Sequence, residues 1–241
     1  MPAELITEAV QSDEHRGLQA VLWDFDGTLA DSEQLWMAAE YELIPSLGGE
    51  WNDEHAHALV GNSLLTSAAY IVNVIGRDDI EPAWIVDQLT ARVTQQLLTG
   101  DIPWRPGALE LLAHLADEQI PCALVSASYR SMLDAVLSRL PESSFATVVA
   151  GDEVTHGKPH PEPYLTAAAT LDVDPARCVV LEDSPPGAAS GNAAGAIVLG
   201  IRNVVELPTA PLRHLTDTLV GVDAAQLDRL VTADFPPTVD V

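Results

Sequence analysis

From Ala20 onward, short unbroken apolar runs alternate with longer stretches in which apolar positions recur every three or four residues. The unbroken runs predict strands buried on both faces, and the longer spacing predicts helices. Strands are expected at 20–23, 122–125, 147–150, 178–181 and 196–199. Helices are expected at 108–118, where Leu109, Leu112 and Leu115 recur, and at 129–140, where Met132, Leu133, Val136, Leu137 and Leu140 do so. Another is expected at 164–171, with Pro163 suited to its first turn. Strand alternating with helix is the pattern of a parallel sheet covered by helices, so the fold class is α/β with a Rossmann-like parallel sheet core.

One interval breaks the rhythm. Residues 31–103 contain no convincing buried strand, only amphipathic stretches at 33–43, 64–75 and 83–98. A structureless loop of that length does not fit a compact domain, so the interval reads as an inserted α-helical cap domain. It leaves the sheet after the first strand and returns through a proline-stiffened crossing, Ile102-Pro103-Trp104-Arg105-Pro106-Gly107. The chain then divides into an N-terminal extension (1–17), an α/β catalytic core (18–30 and 104–241) and the helical cap (31–103). The tail beyond Arg202 is weakly patterned and is expected to form short helices or turns, fraying over 235–241.

Charge narrows the function. Thirty-six acidic residues face eleven basic ones, a net charge of −25, and Lys158 is the single lysine. Nucleic-acid binding needs clustered Lys and Arg, and none is clustered here, so nucleic acid and anionic membranes are excluded as partners. No segment approaches the roughly 18 continuous apolar residues of a membrane span, and the expectation is a cytoplasmic protein, monomeric or weakly dimeric. Cys122 and Cys178 lie inside apolar runs and read as small buried hydrophobes.

The candidate chemistry gathers at strand ends. The first strand runs into Asp24-Phe25-Asp26-Gly27-Thr28, Ser126 follows the second, and Glu182-Asp183-Ser184 follows the fourth. In an open parallel sheet, ligands bind beyond the carboxyl ends of the strands, so these groups converge on one rim. Converging carboxylates repel unless a cation neutralises them, and an all-oxygen set suits Mg²⁺. Lys158 lies in Gly157-Lys158-Pro159, a rigid loop after the third strand, where a compact ammonium can serve a carboxylate and a phosphate oxygen together.

These motifs together, Asp24-Phe25-Asp26-Gly27-Thr28 through Glu33, Ser126, Gly157-Lys158-Pro159 and Glu182-Asp183-Ser184, resemble the haloacid dehalogenase-like hydrolases over about 20–199. More narrowly, the chain resembles the branch of phosphoglycolate phosphatase and β-phosphoglucomutase. The resemblance implies that Asp24 is a nucleophile forming an aspartyl-phosphate and that Asp26 is the general acid and later the base. It implies Mg²⁺ held by Asp24, the Asp26 carbonyl and Asp183, with Glu182 in or near the shell. Ser126 and Ala127 would hold the phosphoryl group, Lys158 would bridge it to Asp24, and Phe25 and Thr28 belong to the same phosphate-binding set. The segment Leu59-Val60-Gly61-Asn62-Ser63-Leu64 resembles the family's specificity loop, which makes Asn62 and Ser63 substrate contacts.

Two departures bear on the reaction. Mutase members carry an arginine where Leu64 stands and a histidine where Trp36 stands, and both differences count against a phosphomutase. The cap holds twelve acidic residues but only Arg77 and Arg92, which suits a small phosphorylated metabolite without a second anionic group. A phosphatase acting on a sugar phosphate or a phosphoglycolate-like compound is the leading expectation. A mutase, a dehalogenase and a non-catalytic phosphate-binding module are the alternatives. Trp36 and Trp51 either line the pocket or pack cap helices, while Trp84 is expected in the core. Arg130 is either a substrate contact or a surface arginine at a helix start. His55 and His57 read as a solvated helix face, because no third metal ligand accompanies them.

Overall fold

The structure, a computed structural model, describes residues 17–60 and 62–234. The expectations for 1–16, for Gly61 and for a frayed end at 235–241 lie outside the described residues. Six parallel strands form one sheet in the order β3-β2-β1-β4-β5-β6. They are β1 (Ala20–Trp23), β2 (Cys122–Val125), β3 (Thr147–Val149), β4 (Cys178–Glu182), β5 (Ile197–Ile201) and β6 (Arg213–Thr216). The chain builds outward from β1 on one side, then crosses back to build β4, β5 and β6 on the other. That reversal leaves a crevice at the carboxyl end of β1, the position at which open parallel sheets in general bind ligands.

The four central strands are wholly buried, and alternate side chains serve opposite faces. Val21, Trp23, Leu124, Val179 and Leu181 join a core with α5 (Ala108–Asp117), α6 (Arg130–Leu137) and α9 (Ala224–Asp234). Ala20, Leu22, Ala123, Val125 and Val180 face α7 (Glu162–Leu171) and α8 (Pro185–Ala193). Cys122 and Cys178 are free and buried on opposite faces, and burial pushes each thiol up to about 12. No helix among the described residues is long and apolar enough to cross a membrane.

Between β1 and α5 the chain forms α1 (Glu33–Ser46), α2 (Asp53–His57), α3 (Leu64–Ile75) and α4 (Pro82–Thr99), the inserted helical cap. Its two crossings pair with each other: Asp31 N donates to Pro103 O at 2.7 Å and Arg105 N to Leu29 O at 3.0 Å. From the core, Arg139 Nη1 donates to the carbonyls of Leu97, Leu98 and Gly100 at the end of α4. A cation at the negative end of a helix is favourable, and here it ties the cap to α6.

Two expectations are corrected. The tail is not only helices and turns, because Arg213–Thr216 forms the edge strand β6. Its residues are mostly half-exposed, so it lacks the unbroken apolar run that marks a buried strand. Trp84 is 42% exposed on α4 and is not a core residue; Ile85, Val86 and Leu89 take the inward positions.

Candidate active site

The ladder between β1 and β4 continues past Trp23, with Asp24 N donating to Leu181 O at 3.0 Å, and this sets Asp24 beside Glu182. The Lys158 ammonium lies between them. Nζ donates to Asp24 Oδ1 at 2.6 Å, to Glu182 Oε1 at 2.7 Å and to Val125 O at 2.9 Å, using all three donors. Glu182 Oε1 also accepts from Tyr164 Oη, and Oε2 accepts from Asp183 N, Ser184 N and Ser184 Oγ, all four bonds at 3.0 Å. Gly187, near the start of α8, lies directly over this carboxylate, and a Cβ there would overlap Glu182 Oε1. Glu182 is therefore saturated by the protein.

Asp24 is not. Its Oδ2 is buried without a hydrogen-bond partner, an arrangement that is costly unless something else meets it. Carboxylate oxygens of Asp24, Glu182 and Asp183 lie within 4.8 Å of one another. Asp183 is oriented by Asn203 Nδ2, 2.9 Å from Oδ2, and more weakly by Thr28 Oγ1, 3.5 Å from Oδ1. Asn203 is held in turn by Arg105, in the crossing that returns from the cap, through Nη1 to Oδ1 at 3.2 Å. Gly27 adopts φ +87°, and a Cβ there would overlap Asp183 Oδ2, so the turn after β1 needs glycine on both counts.

Burial, and then the neighbouring Glu182, push the Asp24 carboxyl well above the usual carboxylate range, against the opposing pull of Lys158. The same two leading causes raise Asp183 to about 7. Burial disfavours the Lys158 ammonium, but Asp24 and Glu182 together more than offset it and hold its pKa well above the ordinary value. One ammonium cannot neutralise three carboxylates. An all-oxygen donor set with an orphaned carboxylate oxygen fits a hard divalent cation, with Asp24 and Asp183 as the groups still free to ligate it.

Asp26 is held on all sides. Oδ1 accepts from Ser32 Oγ at 2.6 Å and from Trp36 Nε1 at 2.9 Å, while Oδ2 accepts from Ser126 Oγ at 3.1 Å and Ser128 Oγ at 2.7 Å. Ser126, at the end of β2, thus points at Asp26, and its own Oγ accepts from Ser128 N at 2.9 Å. Ser128 is a site residue that the sequence reading passed over. Its signal was the repeat in Ser126-Ala127-Ser128, since residues two apart in an extended segment share a side.

A cavity between core and cap joins these groups. Asp24, Asp26, Ala127, Ser128, Lys158 and Asp183 line its core side. Glu33, Trp36 and Glu40, spaced i, i+3 and i+7 on α1, present one helical face to it. Leu59, Val60, Asn62 and Leu64 reach it from the segment read as a specificity loop, whereas Ser63 serves as N-cap of α3. Four other residues are not brought to the cavity. Ser126, expected to hold the phosphoryl group, is buried and directs its Oγ to Asp26 Oδ2, leaving Ala127 and Ser128 on the lining. Phe25 is wholly buried in the core. Thr28 lies behind Asp183. Arg130 is paired with Glu153 at 2.6 Å and donates to Val148 O. His55 is no solvated residue: its ring stacks on Trp51 at 5.1 Å and bonds Tyr70 Oη at 2.8 Å, while His57 is exposed.

Burial raises Glu40 to about 7, against the helping bond from Trp51 Nε1 at 3.1 Å, and burial with Asp26 nearby raises Glu33 to about 8. A carboxyl whose pKa is higher folded than unfolded stabilises the fold while protonated, and that contribution is lost as pH rises through the folded value. Stability without divalent cations should therefore fall between about pH 5 and pH 8. Glu40→Gln stays neutral and should be more stable than the wild type at pH 8, by on the order of 2–3 kcal/mol, but nearly equal to it at pH 5. Urea melts in EDTA at the two pH values check this, and parallel losses in both proteins would show that Glu40 does not titrate in this range.

Comparison with known proteins agrees with this architecture. Residues 21–201 match the family model of the haloacid dehalogenase-like hydrolases. The chain is 32% identical over 188 residues to hexitol phosphatase B of Escherichia coli (strain K12), covering 74% of this chain and 81% of that one. It is 29% identical over 188 residues to validoxylamine A 7'-phosphate phosphatase of Streptomyces hygroscopicus subsp. limoneus, covering 76% and 85%. It is also 32% identical over 226 residues to the bifunctional riboflavin kinase/FMN phosphatase of Arabidopsis thaliana, but spans 57% of that protein's length. Among solved structures, CbbY from Rhodobacter sphaeroides in complex with phosphate superposes with a TM-score of 0.77 at 28% identity, over 88% of this chain and 99% of that one.

Proposed function

The chain belongs to the haloacid dehalogenase-like hydrolase family, and from that premise we propose that it is a Mg²⁺-dependent phosphatase of a small, polyhydroxylated monophosphate in the cytoplasm. The observation that carries this reading is Asp24, a residue lining the cavity: one oxygen is fixed by Lys158 at 2.6 Å and the other is orphaned. A carboxylate so held has one oxygen free to attack phosphorus in line, which splits one hard displacement into the formation and the hydrolysis of an acyl phosphate.

Lys158 neutralises Asp24 and pairs with an oxygen of the transferring group. Asp26 gives a proton to the leaving oxygen, then takes one from the water that attacks the phosphorus of the aspartyl-phosphate. Ser126 and Ser128 aim the Asp26 carboxyl from below, and Trp36 holds its other oxygen. Asp24, Asp183 and the Asp26 carbonyl would hold Mg²⁺, which when bound supplies charge neutralisation for the phosphoryl oxygens. Phosphoryl transfer leaves little covalent work to the protein, so fixed charge and positioning dominate the rate.

The leaving portion meets the Glu33-Trp36-Glu40 face, and among the lining residues Lys158 is the one cation. A second phosphate or a carboxylate would be buried there against acidic groups without a partner, whereas hydroxyls can bond carboxyl oxygens. A hexitol monophosphate should therefore exceed both phosphoglycolate and a sugar bisphosphate in kcat/KM by at least about tenfold, roughly 1.4 kcal/mol of discrimination. Phosphate release measured with Mg²⁺ over such a panel tests the reading. Preference for the bisphosphate would place a cation in the pocket that this account lacks. Isomerisation without phosphate release would restore the mutase.

A further inference from the structure

We infer that His156, His160 and Glu162 form a second cation site, for a transition-metal dication of the Zn²⁺ class, on the loop that carries Lys158. One nitrogen from each imidazole and one carboxylate oxygen lie within 4.8 Å of one another. His156 Nδ1 is 2.9 Å from Glu162 Oε2, and His160 Nδ1 is 3.9 Å from the same oxygen. The two rings lie side by side, with centroids 4.6 Å apart and planes 33° apart. The separations of 2.9 and 3.9 Å lie on either side of the roughly 3.3 Å expected between ligand atoms that share one tetrahedral ion at bonds of about 2.0–2.2 Å.

The backbone is already set. Glu162 Oε1 accepts from Thr155 N at 2.6 Å and Oε2 from His156 N at 3.1 Å, so the carboxylate is oriented by the same segment that supplies His156. His160 is pinned by its own N–H to Gly157 O at 3.0 Å and by its carbonyl, which accepts from Ser190 Oγ of α8 at 2.6 Å. Pro159, Pro161 and Pro163 limit the loop further. Outer bonds that fix a ligand's orientation are a large part of what makes a metal site bind. The cost is modest. His156 Nδ1 gives up its bond to Glu162, and coordination through His160 Nδ1 would replace the long 3.2 Å hydrogen bond from Glu162 N.

The donor set separates this site from the one at the strand rim. Two imidazoles and a carboxylate are the ligands of open zinc sites, with water in the remaining position, whereas Mg²⁺ selects oxygen. His156 and His160 are 62% and 51% exposed, so an ion and its waters can enter. The site flanks Lys158 two residues to either side, and an ion there would brace the loop from outside while Asp24 and Glu182 hold the ammonium inside.

The test uses the full chain without an affinity tag, titrated with Zn²⁺ by calorimetry in saturating Mg²⁺, together with thermal melts. One saturable micromolar site is expected, with a rise in Tm on adding Zn²⁺. His156→Gln and His160→Gln should each weaken binding by at least about tenfold and remove the rise, while their melts without Zn²⁺ match the wild type. Asp183→Asn should bind Zn²⁺ at this site as the wild type does. Absence of a saturable site, binding untouched by the histidine substitutions, or binding lost only with Asp183→Asn would each overturn the inference. None of these readouts involves turnover, so the site stands or falls apart from the phosphatase reading.

Discussion

Asp24→Asn is expected to lower phosphate release by at least about a thousandfold while leaving the protein at least as stable as the wild type at pH 8. The loss follows from chemistry, because an amide oxygen is a poor nucleophile and cannot form the acyl phosphate. The stability follows from the site's charge. Burial and Glu182 raise the Asp24 pKa in the fold, so its ionised form costs free energy as pH rises through that raised value, and asparagine avoids the cost. Glu182, 2.7 Å from the ammonium in the wild type, is untouched by the substitution, so the ammonium is not left unpaired. The shape is also kept, which matters because Asp24 N belongs to the sheet ladder. Added Mg²⁺ should narrow the difference in Tm, since it relieves the same repulsion in the wild type alone. Retained turnover would remove Asp24 as nucleophile. Lost turnover with a fall in Tm at pH 8 would show that the aspartate stabilises the fold, against the charge account.

The parts of this architecture that were legible in the sequence are those whose signal is local. The β1 and β2 ranges follow from runs that must be buried on both faces, and the cap follows from the absence of such runs over 31–103. Edge strand β6 escaped because an edge need not be apolar. Helix α8 opens on Pro185-Pro186-Gly187 and packs through Ala188, Ser190 and Gly191, small residues without an amphipathic stripe. In the site, carboxylates at strand ends announce themselves, but the groups that orient them do not. In the sequence Tyr164 is only the first residue of an expected helix and Asn203 lies in the weakly patterned tail, and only the fold brings them to Glu182 and Asp183. Arg130 misled for the converse reason, since proximity in sequence to Ser126 says nothing about Glu153, 23 residues on, which claims its guanidinium. Glu40 could have been found from its helical spacing to Glu33 and Trp36.

Lys158→Ala is expected to cost at least about a hundredfold in kcat, whereas Arg77→Ala and Arg92→Ala should each stay within about twofold of the wild type. The arginines are occupied elsewhere: Arg77 pairs with Asp79 and Leu47 O, and Arg92 bonds Gln88 and lies near Glu42. A chain of net charge −25 repels a phosphate dianion at long range, so attraction must come from cations at the reaction centre itself. Removing the ammonium also leaves Asp24 and Glu182 buried together without a counter-charge. Breaking a buried pair by deleting one partner costs about 3–5 kcal/mol, so lost activity could merely report lost fold. Stability against pH separates the two. Lys158 is the group that opposes the raised pKa of Asp24, so without it that carboxyl is driven further toward its protonated form and the variant should be far less destabilised at pH 5 than at pH 8. Lys158→Met keeps the stem that packs in the loop and should recover part of the Tm but none of the rate. Lys158→Arg should also fail, because a planar fork cannot direct three donors to Asp24, Glu182 and Val125 O from one point. Recovery of turnover by Lys158→Met would mean that the lysine only fills space, and comparable losses in the arginine variants would shift the electrostatic work to the cap.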